Sequence, residues 1–369
     1  MNTLPVKTFQ DYIPIYDGDR YCLMCRHVCP VERVTKREAT TPHGWALLIA
    51  SVIRGSLQWD ADTVDTLYQC SDCASCQANC ATDRPLPAAL KAARAEVVRL
   101  GKQPASVNEI DRKLREWGNP YGSLPASTVS QVRSDVGLYV GATAQFLRPQ
   151  AIAAAQKLLG ATGIQSVVLG AGRSSGYLPY ALGLWDVARD LARQTMDEIV
   201  SSGVREVITL TAEDAHALKH VYYELGLMPP REVRVIQIAE YLAPQVAQGQ
   251  LKIRPLEMQA ATYHDPCHAL ALPDHASAAR QLIIALTGRA PREMLWREKR
   301  AAPCGATGGL EFTQPWLATA MAKKRLDGAR EIGVGIVLTD DPHCVSHLAQ
   351  HADGLRVQNL IEMLAEQVE

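Results

Sequence analysis

Residues 70–80 read CSDCASCQANC, with four cysteines at positions 70, 73, 76 and 80 of a chain that carries only ten. Three more stand together upstream in YCLMCRHVCPV, at positions 22, 25 and 29. In a reducing compartment, thiols crowded this tightly bind metal rather than pair as disulfides. The rest of the sequence points to such a compartment. The longest apolar run, Trp45 to Ile53, stops at Arg54, well short of the ~20 residues of a membrane span. The first twenty residues show no apolar stretch before a small-residue cleavage site, so no signal peptide is expected and the expected location is cytoplasmic. A net charge of −1 excludes the basic surplus of a nucleic-acid binder. With 369 residues, 47% of them apolar, there is material for two or three domains.

The run Cys70-x2-Cys73-x2-Cys76-x3-Cys80 has the spacing of bacterial-type ferredoxins, which hold cubane [4Fe-4S] clusters. Three sulfurs on a tight loop reach three irons of one cluster, and the fourth turns toward a partner cluster. A structural zinc site prefers two Cys-x2-Cys pairs separated by a longer loop. The upstream run fits the same frame as Asp19-x2-Cys22-x2-Cys25-x3-Cys29-Pro30. By the ferredoxin crossover, two [4Fe-4S] clusters are expected. Cluster A takes Cys22, Cys25 and Cys80, with Asp19 as an oxygen ligand; cluster B takes Cys70, Cys73, Cys76 and Cys29. Asp19 reads equally well as a turn or cap residue. As a ligand it is harder than thiolate, and its iron would be the first lost, leaving a three-iron form.

The texture of the chain changes twice. Residues 1–130 hold the cysteine runs among helical segments, of which PHGWALLIASVIRG and LPAALKAARAEVVRL are the clearest. Residues 102–135 are rich in Pro, Gly, Ser and Asn and read as a surface connection. From Val136, short β-rich runs (VGLYVG, QSVVL, REVITL, VRVIQI) alternate with helical stretches, and the alternation resumes at ATYHD and VGIVLTD. The expected fold class is α/β: a helical ferredoxin-like two-cluster domain over 1–130, then two α/β lobes with parallel sheets over 136–250 and 251–369.

The last three cysteines lie in YHDPCHAL, APCGATGGL and DDPHCVSHL, each expected to follow or end a strand, at the sheet edge where α/β folds bind ligands. With the two cysteine runs and TPHGWALL, these motifs occur in the order of a known family. The chain resembles the iron–sulfur oxidoreductases with CCG-type cysteine-rich domains. That family includes iron–sulfur subunits of anaerobic glycerol-3-phosphate dehydrogenase, glycolate oxidase and lactate utilisation, and heterodisulfide reductase catalytic subunits. The resemblance implies, in each lobe, a Cys, then a Cys-Cys-Gly, then a Cys-x2-Cys. Here the second lobe keeps Cys267, has Pro303-Cys304-Gly305 for the double cysteine, and has Asp341-Pro342-His343-Cys344 for the last pair. The first lobe fits the same frame without any cysteine: Ala142, then Ser174-Ser175-Gly176, then Thr211 and Asp214.

Three arrangements stay open at Cys267, Cys304, Cys344 and Asp341. One is a third cubane cluster with an oxygen-bound or open iron. Another is zinc or a single iron joined by His264, His268 or His343. The third is a metal-free set of buried thiols. The glycines of GATGG read as a place where backbone passes close to its neighbour, or as a phosphate cradle.

No G-x-G-x-x-G fingerprint follows a strand, so hydride chemistry is not expected in this chain. The resemblance implies an iron–sulfur electron-transfer subunit of a flavin-dependent dehydrogenase or reductase complex. Its partner would be a flavoprotein dehydrogenase or electron-transferring flavoprotein, and its acceptor a quinone, a flavoprotein or a disulfide. A quinone-linked partner would bring it to the inner face of the membrane. Two alternatives remain: a heterodisulfide-reductase-like catalytic subunit acting on a sulfur substrate at the third centre, and a scaffold or assembly subunit.

Overall fold

The computed structural model describes residues 5–18, 22–124 and 133–369. Asp19 lies outside the described residues.

The N-terminal part is built of short helices whose starts are written in the sequence. Helix Pro42–Ile53 opens on a proline, and the Thr41 side chain accepts the Gly44 N–H at 2.9 Å. Helix Ala61–Tyr68 is capped by Asp60, which accepts from Thr63 N at 2.9 Å. Trp45 is buried and donates Nε1 to the Thr66 carbonyl at 2.8 Å, tying the two helices together. Helix Leu86–Arg99 closes this core through Leu90, Ala93 and Val97. The same core takes in Leu182, Leu184, Leu310 and Leu317 from later in the chain.

Inside the stretch expected to be a connection lies a thirteen-residue helix, Ala105–Trp117. It buries Val107, Ile110 and Leu114 on one face and ends on Gly118 at φ +70°. Its flanks carry the Gly, Pro and Ser that colour the segment.

Among the described residues, seven strands form two parallel sheets. β1 (Val136–Tyr139), β2 (Val167–Leu169), β3 (Glu206–Thr209) and β4 (Arg234–Gln237) run in the order β2-β1-β3-β4. β5 (Ala261–Tyr263), β6 (Ile336–Thr339) and β7 (Arg356–Asn359) run in the order β5-β6-β7. The architecture is helix-rich α/β. One hydrophobic core spans both sheets. It joins Leu138, Ile208 and Leu242 with Tyr263, Leu282, Leu338 and Leu364, through helices packed between the sheets. The carboxyl ends of β1, β3, β5 and β6 therefore lead into one shared region, where the loops with the family-frame residues meet. One expectation fails locally: Cys304 neither follows nor ends a strand. It sits on the long segment between helix His275–Thr287 and helix Leu310–Thr313.

Candidate metal centres

Cys70 and Cys73 lie on a loop that turns through left-handed residues Asp72 (φ 52°) and Ala74 (φ 57°) into the single-turn helix Ser75–Ala78, which carries Cys76. Helix Leu86–Arg99 fixes this loop with two buried cations, Lys91 and Arg94. Lys91 Nζ donates to Asp72 Oδ1 at 2.9 Å, and Tyr177 donates its hydroxyl to Asp72 Oδ2 at 2.6 Å. Arg94 donates to the carbonyls of Cys70 (2.6 Å), Leu67 (3.2 Å) and Ala181 (2.9 Å), and lies over the Tyr68 ring. Cys29, at the junction of helices Met24–Val28 and Pro30–Thr35, is buried with these thiols. Burial raises its thiol well above the ordinary range, and the proximity of Cys73 and Cys70 adds to the rise. Burial likewise pushes Cys70 up to about 12, against the pull of Arg94. Cys76 is raised by burial and by Cys73, Cys70, Cys29 and Cys25. The Cys29, Cys70 and Cys76 thiols, raised together in this way, ionise together only when a cation supplies the opposite charge.

Cys22, Cys25, Cys76 and Cys80 line a second cavity of about 330 Å³, with Pro42, Ala46, Leu86 and Met24 supplying apolar walls. Cys22 is exposed. Burial raises the Cys80 thiol, but hydrogen bonding from Thr82 (3.3 Å) and nearby Arg84 bring it below its ordinary value. Arg84 also donates to the carbonyls of Gly18 and Ile15, fixing the segment ahead of Cys22. Cys76 belongs to both groups, so this cavity adjoins the first group of thiols.

The third group lies where the sheets' carboxyl ends meet. Cys267, Cys304, Cys344 and Asp341 line one cavity together with Thr211 and Glu213 of the first sheet's loops. Its volume is about 20 Å³, room for roughly one water-sized particle. All three cysteines are buried. The Cys304 and Cys344 thiols hydrogen-bond to each other, which lowers Cys304 and raises Cys344. Cys267 contacts Thr307 Oγ1 at 3.4 Å and is raised by burial, then by Cys304 and Cys73. The third group thus lies beside the Cys70–Cys76 loop. Asp341 is a busy carboxylate. Oδ1 caps helix Pro342–Ala349, accepting from His343 N (2.9 Å) and Cys344 N (3.3 Å), and Oδ2 accepts from Ala212 N (3.1 Å) across the two sheets.

Of the histidines, His264 joins two of the three sulfurs: His264, Cys304 and Cys344 have donor atoms within 4.8 Å of one another, a set that leaves out Cys267. His268 instead lies against Glu213 (3.6 Å) and Thr307 (3.4 Å). His343 pairs with Glu311 at 3.2 Å. Burial works against the His343 charge, but Glu311 holds the ring's pKa up at about 10. Ala142, Ser174, Ser175 and Asp214, the positions expected to take the cysteine frame in the first lobe, line an adjoining pocket with Glu213, Glu311 and His343. Burial raises Glu213 to about 8 and Asp214 to about 6.

The glycines of GATGG have a packing role. A Cβ on Gly305 would stand 2.3 Å from the Ala318 carbonyl oxygen, and one on Gly308 would stand 3.0 Å from that of Ser71. The second contact lets the Cys304 segment lie directly on the cysteine loop.

The buried partners Lys91, Arg94, Asp72 and Arg325 do not stand out in the cysteine motifs. A signal exists for two of them: Lys91 and Arg94 interrupt the apolar face of LPAALKAARAEVVRL one turn apart.

Residues 261–349 match the family model of the CCG cysteine-rich domain. The chain is 26% identical over 309 residues to a subunit of the fumarate reductase (CoM/CoB) of Methanothermobacter marburgensis, covering 81% of this chain and 61% of that protein. It is 27% identical over 320 residues to a subunit of the dihydromethanophenazine:CoB–CoM heterodisulfide reductase of Methanosarcina barkeri, covering 82% and 78%. It is 22% identical over 342 residues to FadF of Bacillus subtilis, described as a probable iron–sulfur-binding oxidoreductase, covering 85% and 48%. No helix among the described residues is long and apolar enough to cross a membrane. The CCG match thus falls on the segment that carries Cys267, Cys304 and Cys344, and the chain is similar over most of its length to subunits of two reductases and to a probable iron–sulfur-binding oxidoreductase.

Proposed function

We propose that this chain is an iron–sulfur electron-transfer subunit of a reductase or dehydrogenase complex. In this reading residues 1–130 form a ferredoxin-like two-cluster domain. Residues 136–250 form a cysteine-free lobe of CCG type, and residues 251–369 its counterpart with three cysteines. Cluster A is held by Cys22, Cys25 and Cys80, and cluster B by Cys29, Cys70, Cys73 and Cys76. The observation that carries the reading is the interleaving of the two runs. Cys29 lies with Cys70 and Cys73, while Cys80 lines a cavity with Cys22 and Cys25. Bound [4Fe-4S] clusters supply one-electron transfer at low potential.

The chain's own residues would set the order. Exposed Cys22 and Met24 present cluster A to a partner. Cys76 bridges toward cluster B, and Cys73 bridges toward Cys267. Because the third cavity has space for about one particle, a single ion at the Cys304–Cys344 pair, with Cys267 and Asp341 lining the same cavity, fits better than a third cube. The same volume disfavours direct attack on a disulfide substrate there, so the relay comes before the catalytic alternative. A flavoprotein donor and a quinone, flavoprotein or disulfide acceptor complete the scheme. The test is to add reduced flavin to anaerobically purified protein. The expected result is loss of a brown chromophore and the paramagnetic signals of two reduced clusters. A chain that takes up no electrons contradicts the proposal.

A further inference from the structure

Helix Pro315–Glu331 carries Arg325 into the interior, where it is only 5% exposed. Its Nε donates to His264 Nδ1 at 2.8 Å and its Nη1 to the Trp296 carbonyl at 2.6 Å. Neither acceptor is an anion. Asp265, the carboxylate that acts on it most strongly, is already engaged by both terminal nitrogens of Arg280, at 2.8 and 3.1 Å. Arg325 Nη2 is buried without a hydrogen-bond partner. A guanidinium in such a place is costly unless an anion stands close by.

His264 completes the pattern. Its neutral ring has one lone pair, on the nitrogen that accepts from Arg325, so Nε2 carries the proton. Nε2 too is buried without a partner. The ring lies within 4.8 Å of the Cys304 and Cys344 sulfurs, and both cysteines are among the charges acting on Arg325. Two N–H donors without partners and a fixed positive charge thus lie in the neighbourhood of one pair of thiols. The same hydrogen bond removes His264 from the set of metal ligands, because a nitrogen bearing a proton cannot coordinate an ion.

We propose that Arg325 and His264 are positioning residues for an anionic metal–thiolate centre at Cys267, Cys304 and Cys344, with Arg325 as its fixed counter-charge and both side chains donating N–H to sulfur. The inference rests on the reading of the third group as a metal centre and adds the charge balance that holds it. The occupant is a single divalent ion, zinc or ferrous iron, because the cavity has space for about one particle and the donors are soft. Arg94 offers a parallel beside cluster B, where it also donates only to carbonyls.

The test measures metal per chain and its rate of loss to a chelator, in the full chain purified anaerobically. Wild type is compared with Cys304→Ser, Arg325→Lys, Arg325→Met and the double variant. Cys304→Ser should lose about one metal ion, and Arg325→Met should release that same ion about tenfold faster than wild type or more, with Arg325→Lys near wild type. Thermal midpoints separate charge pairing from plain structure. Arg325→Met should lower the midpoint of the loaded chain and raise it in the Cys304→Ser background, where the anion is gone. Equal lowering in both backgrounds overturns the proposal, as does loss of the ion in Cys304→Ser but wild-type retention in Arg325→Met. If Cys304→Ser keeps all its metal, the metal-centre reading itself fails. Should Arg325→Met not accumulate alone, recovery of the folded double variant supports the pairing, and its failure to fold overturns it.

Discussion

The Tyr177 hydroxyl donates to Asp72 Oδ2 at 2.6 Å, joining the loop that carries Cys70 and Cys73 to the short helix Tyr177–Leu182 beside the first sheet. Asp72 is 4% exposed and its other oxygen receives Lys91, so three elements meet on one carboxylate. Removing the hydroxyl with Tyr177→Phe should cost about 1.5–3 kcal/mol of unfolding free energy, the range for hydrogen bonds to a charged group. Lys91→Met should cost about 3–5 kcal/mol, because it leaves a buried carboxylate uncompensated. Denaturant midpoints on the loaded protein read both. A Lys91 variant as stable as wild type would show that the pair carries no structural weight.

The crossover predicts which iron leaves with which cysteine. Cys29→Ser should deplete cluster B although Cys29 belongs to the upstream run, and Cys80→Ser should deplete cluster A although Cys80 belongs to the downstream one. Iron content and paramagnetic spectra of the two variants decide it. If each variant loses the cluster of its own run, the interleaving is wrong.

Glu213 gives a pH dependence with a defined sign. Burial raises its pKa from 4.5 to about 8, so the folded chain keeps a proton that the unfolded chain releases above pH 4.5. The folded state therefore binds more protons between those values, and its stability falls as pH rises across that window. Glu213→Gln removes the dependence. Its stability relative to wild type should grow from pH 5 to pH 8 by up to about 1.4 kcal/mol per pH unit. Parallel urea-midpoint profiles for the two proteins would rule out a protonated Glu213.

Gly305 sits at φ +107° with the Ala318 carbonyl oxygen 2.3 Å from where a Cβ would be. Gly305→Ala should therefore destabilise by about 2 kcal/mol or more, through backbone strain and forced separation of the Cys304 segment from helix Pro315–Glu331. Calorimetry of the variant checks it, and an unchanged transition would show that the backbone gives way freely.

Much of this arrangement is legible from residue pattern alone. Strands β1 to β6 follow from short β-branched runs such as VITL and IVLT, whose side chains are almost all buried. Strand β7, Arg356–Asn359, escapes that pattern because Val357 is its one apolar residue, too little for a β-rich run. The helix Ala105–Trp117 is hidden by its flanking Pro and Gly. Cysteine spacing points to the candidate metal-binding thiols, since ligands of one centre often cluster along the chain. It says nothing of Arg94 or Arg325, whose roles depend on carbonyls and rings brought in from distant segments. Burial in the fold reveals Arg325, while Arg94 also shows as a break in the apolar face of its helix.

Iron and acid-labile sulfide per chain, measured on protein kept strictly anaerobic, test the metal-relay reading most directly. About eight of each are expected from two four-iron clusters. Colourless protein, with the seven thiols of residues 22–80 free, oxidised in pairs or bound to zinc, would contradict it.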